Sequence, residues 1–255
     1  MIIVISPAKT LDLEKNYDNL PMSKPRFLEK SKEIMKELVK YDVNELEKLM
    51  KISIKLAKLN KERNENWTTS IKGSKQALTT FKGEVYRGMD VGSLSDSELF
   101  YANDHLRILS GLYGALRPFD GINQYRLEMG IKLKLGDNRN LYEFWDNIIV
   151  NSLIEDFKKD KSKVLVNLAS KEYFKSIEGI TKSEDIKVIT PIFKELRGDR
   201  YKIITMSAKN ARGLMSRYII QNQIDDIEKL KKFNLDGYEF NEDISTDSEI
   251  VFTRE

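Results

Sequence analysis

The stretch His105–Glu128 reads HLRILSGLYGALRPFDGINQYRLE and combines regularly spaced apolar residues with arginines and glycines. Its apolar residues recur every three or four positions, as on the buried face of a helix: Leu106, Leu109, Leu112, Tyr113 and Leu116. Upstream, Ser95 followed three residues later by Glu98 fits a capping box, and Pro118 would stop a helix. The pattern therefore predicts one helix from Asp96 to Ala115.

The remaining positions of this predicted helix are cationic or small. Steps of three, four and three residues would place on one face Arg107, Ser110, Gly114 and Arg117. Two arginines beside two small residues would admit a phosphate or a carboxylate, because the planar guanidinium pairs with such groups through two hydrogen bonds. A glycine inside a helix costs roughly 1 kcal/mol relative to alanine, so Gly111 and Gly114 are expected to mark a hairpin or close packing. The alternative is two helices packed through these glycines, with solvated arginines.

Length and composition indicate a charge-rich globular protein. The chain has 255 residues, of which 40% are hydrophobic and 33% charged, with a net charge of +3. No apolar run approaches the ~20 residues of a membrane span, and MIIVIS at the start resembles a first strand more than a signal peptide. We expect a cytoplasmic protein that is a monomer and has no membrane partner. Without a low-complexity linker or an internal repeat, one domain over residues 1–255 is predicted.

The absence of some residue types excludes several kinds of site. The chain has no cysteine, which excludes disulfides, thiolate metal sites and cysteine nucleophiles. It has one histidine, His105, so a transition-metal site would consist almost wholly of carboxylates, and no metal or cofactor is expected. Neither a phosphate loop nor a G-x-G-x-x-G motif occurs, which counts against common modes of nucleotide-triphosphate and dinucleotide binding.

Several segments carry candidate ligand contacts. Ser6 and Lys9 match S-x-x-K without its companion motifs, so Ser6 is a poor nucleophile candidate, whereas a lysine just after a first strand commonly contacts ligands. In a strand, Arg126 and Glu128 would share one face. The window from Lys194 to Arg217 is the most basic of the chain, with seven basic and two acidic residues.

Periodicity also predicts the other main elements. Buried or amphipathic strands are predicted at residues 1–5, 163–168, 186–193, 201–206 and 249–253, with a possible hairpin at Gly198. Helices are predicted at residues 24–40, 42–60, 141–158 and 208–223. The strand at 163–168 runs into a polar and aromatic segment, ASKEYFK, where open sheets commonly place ligand contacts.

Seven ordered motifs together resemble the YaaA family, which is linked to the bacterial peroxide-stress response. They are ISPAKT, FKGEVY, LSGLYGALRPFD, YRLEMG, NLAS with KEYF, AKNARGLMSRYII and GYEF, and they cover essentially the whole chain. The resemblance implies a single compact α/β domain of unusual topology, with a mixed sheet and flanking helices. It also implies DNA binding through a positively charged cleft and a helix–hairpin–helix element, which here would be Leu106 to Pro118. Gly111 and Gly114 lie farther apart than the usual G-x-G of such a hairpin.

Two functional hypotheses follow. The first is a protein that binds duplex or branched DNA by its backbone and shape, with contacts from Lys9, Lys82, Arg87, Arg107, Ser110, Gly111, Gly114, Arg117, Arg126, Lys209, Arg212 and Arg217. Unpaired bases would stack on Tyr86, Tyr113 and Tyr173. The second is an enzyme acting on a small anionic ligand, such as a nucleotide or nucleoside, or on a DNA base or sugar. Its catalytic residues would be Glu128 with Lys9 or Tyr173. A pure interaction scaffold has little support, because the sequence shows no exposed apolar stripe.

Overall fold

The structure, a computed structural model, describes residues 1–12, 14, 19–158 and 160–255, and its centre is an eight-stranded mixed sheet. The strands of the described chain are β1 Ile2–Ile5, β2 Thr10–Leu11, β3 Lys75–Gln76, β4 Phe81–Lys82, β5 Leu106–Ser110, β6 Gly114–Leu116, β7 Gly121–Ile122, β8 Val164–Leu168, β9 Lys187–Arg197, β10 Arg200–Lys202, β11 Glu239–Phe240 and β12 Glu249–Arg254. Two further pairs, β2 with β4 and β3 with β7, form small separate sheets.

Helices surround this sheet. They are α1 Leu28–Leu38, α2 Val43–Met50, α3 Ile54–Glu65, α4 Ala77–Thr80, α5 Glu84–Met89, α6 Asp96–His105, α7 Leu141–Trp145, α8 Ile148–Phe157, α9 Lys171–Phe174, α10 Thr205–Asn222 and α11 Ile227–Leu230. Short 3-10 helices cover Val91–Ser93, Lys175–Lys182, Leu235–Gly237 and Glu242–Ile244. Among the helices of the described residues, none combines the length and the apolar character needed to cross a bilayer.

The first strand lies in the middle of the sheet. The order is β11-β12-β9-β8-β1-β5-β6, and β10 pairs with β9 outside this path. Parallel pairing joins β1 to both β5 and β8, β8 to β9, and β9 to β12. Every residue of β1 and of β8 is buried, since helices cover both faces of the parallel strands. The predicted α/β class with a mixed sheet is confirmed.

The helix predicted through the His105–Glu128 stretch is wrong. The capping box of Ser95 and Glu98 is present, but α6 ends at His105. The chain then forms a β-hairpin, in which β5 pairs antiparallel with β6 and Gly114 adopts a φ of +72° at the turn. All residues from 106 to 116 are buried, so the spacing of apolar residues did not reflect one buried face. The predicted helix–hairpin–helix element at Leu106–Pro118 is therefore replaced by two strands.

Other predicted elements are confirmed, with changes at their boundaries. The strands at 1–5, 163–168 and 249–253 form, and β9 and β10 make a hairpin around Gly198, whose φ is +67°. The predicted helix at 42–60 is two helices, because Lys51 takes a left-handed conformation. The predicted helix at 141–158 is likewise split, at Asp146. The helix predicted at 208–223 begins three residues earlier, at Thr205, so the strand predicted at 201–206 is wrong beyond Lys202, where β10 ends.

Two glycines bring α10 against α5. A Cβ on Gly213 would overlap the backbone of Val85 and Met89, and a Cβ on Gly88 would overlap that of Asn210. Only the missing side chains allow the two helix backbones to approach this closely. Because α10 carries Lys209 and Arg212, this contact fixes where the two cations lie relative to the sheet.

Candidate functional site

A cleft lies where β1 and β8 end, at the middle of the parallel sheet. After β1 the chain leads to β5 on one side, whereas after β8 it leads to β9 on the other. The two loops therefore diverge, and open α/β sheets bind ligands at such a point. We call this the switch-point cleft. Its volume is about 520 Å³, and its lining includes Ser6, Lys9, Lys82, Tyr86, Tyr125, Arg126, Glu128, Ser170, Glu172, Tyr173, Met206, Lys209 and Arg212.

Two serines join the loops at the base of the cleft. The backbone N–H of Ser170 donates to Ser6 Oγ at 2.9 Å, and Ser6 Oγ in turn donates to Ser170 Oγ at 3.3 Å. The hydroxyl of Tyr86, from α5, donates to the Ser6 carbonyl at 3.1 Å. These contacts hold the ends of the two central strands together, which gives the cleft a rigid base.

One wall carries a carboxylate between two cations. Glu128 Oε1 lies 2.8 Å from Lys9 Nζ and 3.1 Å from Arg126 Nη2. The side chains of Glu128 and Arg126 are only 13% and 15% exposed, whereas Lys9 is 66% exposed. Glu128 Oε2 and Arg126 Nε are buried and have no hydrogen-bond partner among the described residues. Such orphaned atoms cost about 1–3 kcal/mol each, and both belong to residues that line the cleft.

The β5–β6 turn positions this wall. Gly111 packs against the segment that carries Arg126 and Glu128, so closely that an added Cβ would lie 2.6 Å from the Leu127 carbonyl oxygen. The indole of Trp145 donates to the Gly111 carbonyl at 3.0 Å and fixes the turn from the other side. Farther along, the N–H of Gly130 donates to Glu172 at 2.8 Å and ties the wall to α9.

Helix α10 supplies cations to the cleft. Lys209 is exposed, while Arg212 is half-buried. Burial lowers the pKa of Arg212, and no acidic group among the described residues offsets that effect. A guanidinium that has lost part of its hydration without gaining an acid partner donates strong hydrogen bonds to an anion that reaches it.

The tyrosines around the cleft stay protonated at neutral pH. Burial raises the pKa of Tyr173, Tyr125 and Tyr86 well above the usual range for a phenol. Tyr125 shares a hydrogen bond of 2.7 Å with the buried Ser110 hydroxyl. These phenols are therefore suited to donate hydrogen bonds and to present apolar rings, and they are not suited to act as bases.

The structure separates the residues predicted as one site into two sets. The cleft brings together Lys9, Lys82, Arg126, Glu128, Tyr173, Lys209 and Arg212. Arg87 lies in a neighbouring groove that shares Lys82, Gly83, Glu84 and Tyr86 with the cleft, and it pairs with Glu84. Both predicted catalytic partners of Glu128, Lys9 and Tyr173, are thus beside it, with Lys9 in direct contact.

The other predicted contacts lie outside the cleft. Arg107 is buried, and its Nε donates to Asp156 at 2.8 Å. Arg117 faces Asp120 at 3.4 Å, and Arg217 donates to the carbonyls of Met89 and Asp90. The core contains Ser110, Gly111, Gly114 and Tyr113. The expected common face of Arg107, Ser110, Gly114 and Arg117 does not form, because alternate residues of a strand point to opposite sides of its sheet.

Sequence analysis marked the segment ASKEYFK as a place for ligand contacts without singling out Ser170 or Glu172 within it, and it missed Met206; all three line the cleft. A signal existed for the first two, since they follow a strongly buried strand at the edge where ligands bind. Met206 had no such signal, because its position depends on how α10 packs. Across the described residues, no group of three potential metal-ligating side chains comes together.

Comparisons with known proteins cover the whole chain. The sequence model of a family described as "Peroxide stress protein YaaA" matches residues 1–244. A UPF0246 protein of Clostridium beijerinckii is 57% identical over 255 residues, covering 100% of this chain and 98% of the relative. A UPF0246 protein of Clostridium botulinum is 55% identical over 256 residues, with 100% of both chains covered. One from Aliivibrio fischeri is 48% identical over 257 residues, covering 100% of this chain and 98% of the relative.

Proposed function

The chain belongs to the peroxide stress protein YaaA family, and we propose that it binds a nucleotide unit in the switch-point cleft. The phosphate would lie against Arg212 and Lys209, and the base or sugar would lie against Arg126 and Glu128. The observation that carries this proposal is Arg212, a half-buried guanidinium without an acidic partner in the described chain. An anion from outside the chain would complete its interactions.

The opposite wall suits the uncharged part of such a ligand. Arg126 Nε offers a donor and Glu128 Oε2 an acceptor, and neither has a partner among the described residues. Paired donors and acceptors are the pattern with which proteins read the edge of a nucleobase or the hydroxyls of a sugar. The rings of Tyr86 and Tyr173 add apolar surface. A volume of about 520 Å³ is in the range of about 300–1,000 Å³ typical of small-molecule sites.

Two arginines, one inside the cleft and one outside it, provide the test. Inorganic phosphate and adenosine monophosphate are titrated by calorimetry into the unmodified protein, Arg212→Met and Arg200→Met. Loss of a charge-assisted hydrogen bond of about 1.5–3 kcal/mol predicts roughly 10- to 100-fold weaker binding for Arg212→Met. Arg200→Met removes the same charge from the exposed strand β10, outside the cleft, and should leave the affinity unchanged. Equal weakening by both variants, or no binding to the unmodified protein, would refute the proposal.

DNA binding is the second candidate, and the mouth of the cleft favours it. Lys9 lies in the loop just before β2, and Lys82 lies in β4, which pairs with β2. Their side chains are 66% and 67% exposed. Arg87 follows in the adjoining groove. Exposed cations beside a deeper nucleotide pocket would let a strand of DNA run across the mouth and place one nucleotide inside. The free nucleotide and the DNA would then compete for the same site.

Fluorescence anisotropy tests this second candidate. Labelled single-stranded, duplex and four-way-junction DNA are titrated with the protein, and adenosine monophosphate is then added as competitor. Displacement of DNA by the mononucleotide is expected if one site serves both. If neither the competitor nor Arg212→Met changes the affinity for DNA, the DNA binds elsewhere on the molecule.

Glu128 is the residue for which we propose chemistry. Its carboxylate is held by Lys9 and Arg126 against the ligand, an arrangement that suits proton transfer to or from a base or sugar. Glu128→Gln keeps the shape and removes the proton acceptor. It is expected to bind nucleotide or DNA as well as the unmodified protein or slightly better, because a negative charge near the phosphate is lost. Any product formed from nucleotides or DNA, detected by chromatography and mass spectrometry, should disappear with this variant; turnover that persists excludes a catalytic Glu128.

A further inference from the structure

The methionines of this chain differ sharply in their access to solvent. The chain has eight methionines and no cysteine, so methionine carries all of its sulfur. Six are buried, with at most 4% exposure: Met1, Met35, Met50, Met89, Met129 and Met215. Met22 is 37% exposed and Met206 is 57% exposed. Because peroxide oxidises exposed methionine before buried methionine, Met22 and Met206 are the candidates for oxidation in this protein.

The two exposed methionines have different surroundings. The sulfur of Met22 accepts a hydrogen bond from the Ser74 hydroxyl at 3.2 Å, and this residue does not line the cleft. Met206 lies in the first turn of α10 and lines the switch-point cleft together with Lys209 and Arg212. Of the two, only Met206 places an accessible sulfur beside the cations that we assign to the ligand.

We infer that Met206 is a peroxide-oxidation site through which hydrogen peroxide weakens anion binding in the cleft. The consequence for binding rests on the proposed function, whereas the oxidation itself does not. In the reaction the sulfur lone pair attacks one peroxide oxygen, the O–O bond breaks and water leaves. The sulfur is oxidised by two electrons to the sulfoxide and the peroxide is reduced. Sulfoxide reductases return the sulfoxide to methionine: two thiols are oxidised to a disulfide, and the oxygen leaves as water.

The product changes the cleft because a sulfoxide is polar. Its oxygen is a hydrogen-bond acceptor, and on a helix the side chains at positions i and i+3 are neighbours, as Met206 and Lys209 are. The oxidised side chain can therefore accept from the Lys209 ammonium and compete with a bound phosphate. Since the ammonium has three N–H donors, it keeps part of its contact with the phosphate, and this partial competition predicts an affinity for phosphate or adenosine monophosphate lowered about 3- to 10-fold.

Peptide mass spectrometry and calorimetry on the full chain test this inference. The protein is treated with hydrogen peroxide in steps, and the sulfoxide at each methionine is quantified alongside the affinity for adenosine monophosphate. Sulfoxide at Met206 is expected first, with the fall in affinity following its yield and reversing with sulfoxide reductase. Met206→Leu should give the same affinity before and after peroxide, whereas Met22→Leu should respond like the unmodified protein. Earlier oxidation of Met22, or a fall in affinity that persists in Met206→Leu, would overturn the inference.

A measurement on the protein without ligand tests this inference independently of the proposed function. Acetylation of individual lysines by acetic anhydride is followed by mass spectrometry before and after peroxide. A hydrogen bond from Lys209 to the sulfoxide should slow acetylation at Lys209 several-fold relative to Lys82. If the reduced protein binds no nucleotide, the proposed function fails while this measurement still decides the role of Met206. An unchanged ratio of the two rates would refute that role.

Discussion

At the scale of single residues, the surroundings of each arginine decide what it does. Arg212 and Arg217 belong to the same helix, yet Arg217 donates to two backbone carbonyls and to Ser93, while Arg212 lines a cleft without an acidic partner among the described residues. Arg107 is the most buried of the arginines predicted as contacts, and it is paired with Asp156. Because the guanidinium is the same in each case, the sequence alone assigns them equal roles. Structural arginines are those whose donors are already satisfied within the chain.

The ion pair of Asp156 predicts a dependence of stability on pH. Burial opposes ionisation of Asp156, but Arg107 and Arg26 outweigh it and lower the pKa of the carboxyl. A lowered folded-state pKa means that the stabilisation is complete above the unfolded value of about 3.9 and is lost as the pH falls through the folded value. Asp156→Asn should therefore lower the free energy of unfolding by about 3–5 kcal/mol at pH 7, because it leaves Arg107 buried without its acid.

Urea unfolding from pH 7 down to pH 3 measures this effect. The difference between the two proteins is expected to be constant above about pH 5 and to shrink below about pH 4. Glu155→Gln, at the neighbouring exposed carboxylate, serves as the control and should stay close to the unmodified protein throughout. A difference that does not change with pH would mean that the cost of Asp156→Asn comes from packing and not from charge.

At the scale of elements, close backbone contacts place the cleft residues. Gly111 brings the β5–β6 turn against Leu127, and Gly213 with Gly88 brings α10 against α5. The first contact positions Glu128, and the second positions Lys209 and Arg212. Gly111 and Gly114 thus mark close packing and a hairpin turn, as the cost of glycine inside a helix predicted, whereas their contact with DNA stays a prediction.

Gly213→Ala tests the role of the α10–α5 contact. A new Cβ would overlap the Val85 carbonyl and Met89 N–H, so the helices must separate. Overpacking of this kind costs typically about 1–3 kcal/mol of stability, and here it should also weaken phosphate binding by moving Arg212. At Gly179 an added Cβ would meet its nearest atoms at 3.5 Å, an ordinary contact, so Gly179→Ala is the matched control. Thermal unfolding together with phosphate titration measures both effects; a stable Gly213→Ala with full affinity would show that the contact is adaptable.

At the scale of the whole molecule, the basic residues predicted to contact DNA do not share one pocket. Of the nine predicted cationic DNA contacts, five line the switch-point cleft, and Arg87 lies in the adjoining groove. Arg107 and Arg117 line a different pocket, near His105 and Asp160. The net charge of +3 is too small to attract a polyanion to the protein surface as a whole, so the positions of individual cations decide where it binds. We therefore expect a polyanion to bind through the cations at the mouth of the cleft.

This distribution predicts the salt dependence of DNA binding. Four cations at the cleft and its mouth can reach phosphates together: Lys9, Lys82, Lys209 and Arg212. With about 0.9 counterions released per neutralised phosphate, the slope of log affinity against log salt should be about −3 to −4 on duplex DNA, against about −8 if all nine predicted cations took part. Anisotropy at several salt concentrations gives the slope. Lys82→Ala should reduce its magnitude by about one, and Lys58→Ala, on α3 outside the cleft, should leave it unchanged.

The sequence by itself determined the family, the α/β class, both central parallel strands, the β9–β10 hairpin and most of α10, because these depend on local periodicity and on motifs that cover the chain. It also identified Lys9, Arg126, Glu128, Tyr173, Lys209 and Arg212, each of which lies in the cleft. Only the tertiary structure decided that Leu106–Leu116 is a hairpin, since a segment buried on every side carries no periodic signal that separates helix from strand. Only the tertiary structure showed that Arg212 lacks an acidic partner among the described residues, whereas Arg107, Arg117 and Arg217 already have partners within the chain. The reason is that the groups with which an arginine pairs can lie far from it in the sequence.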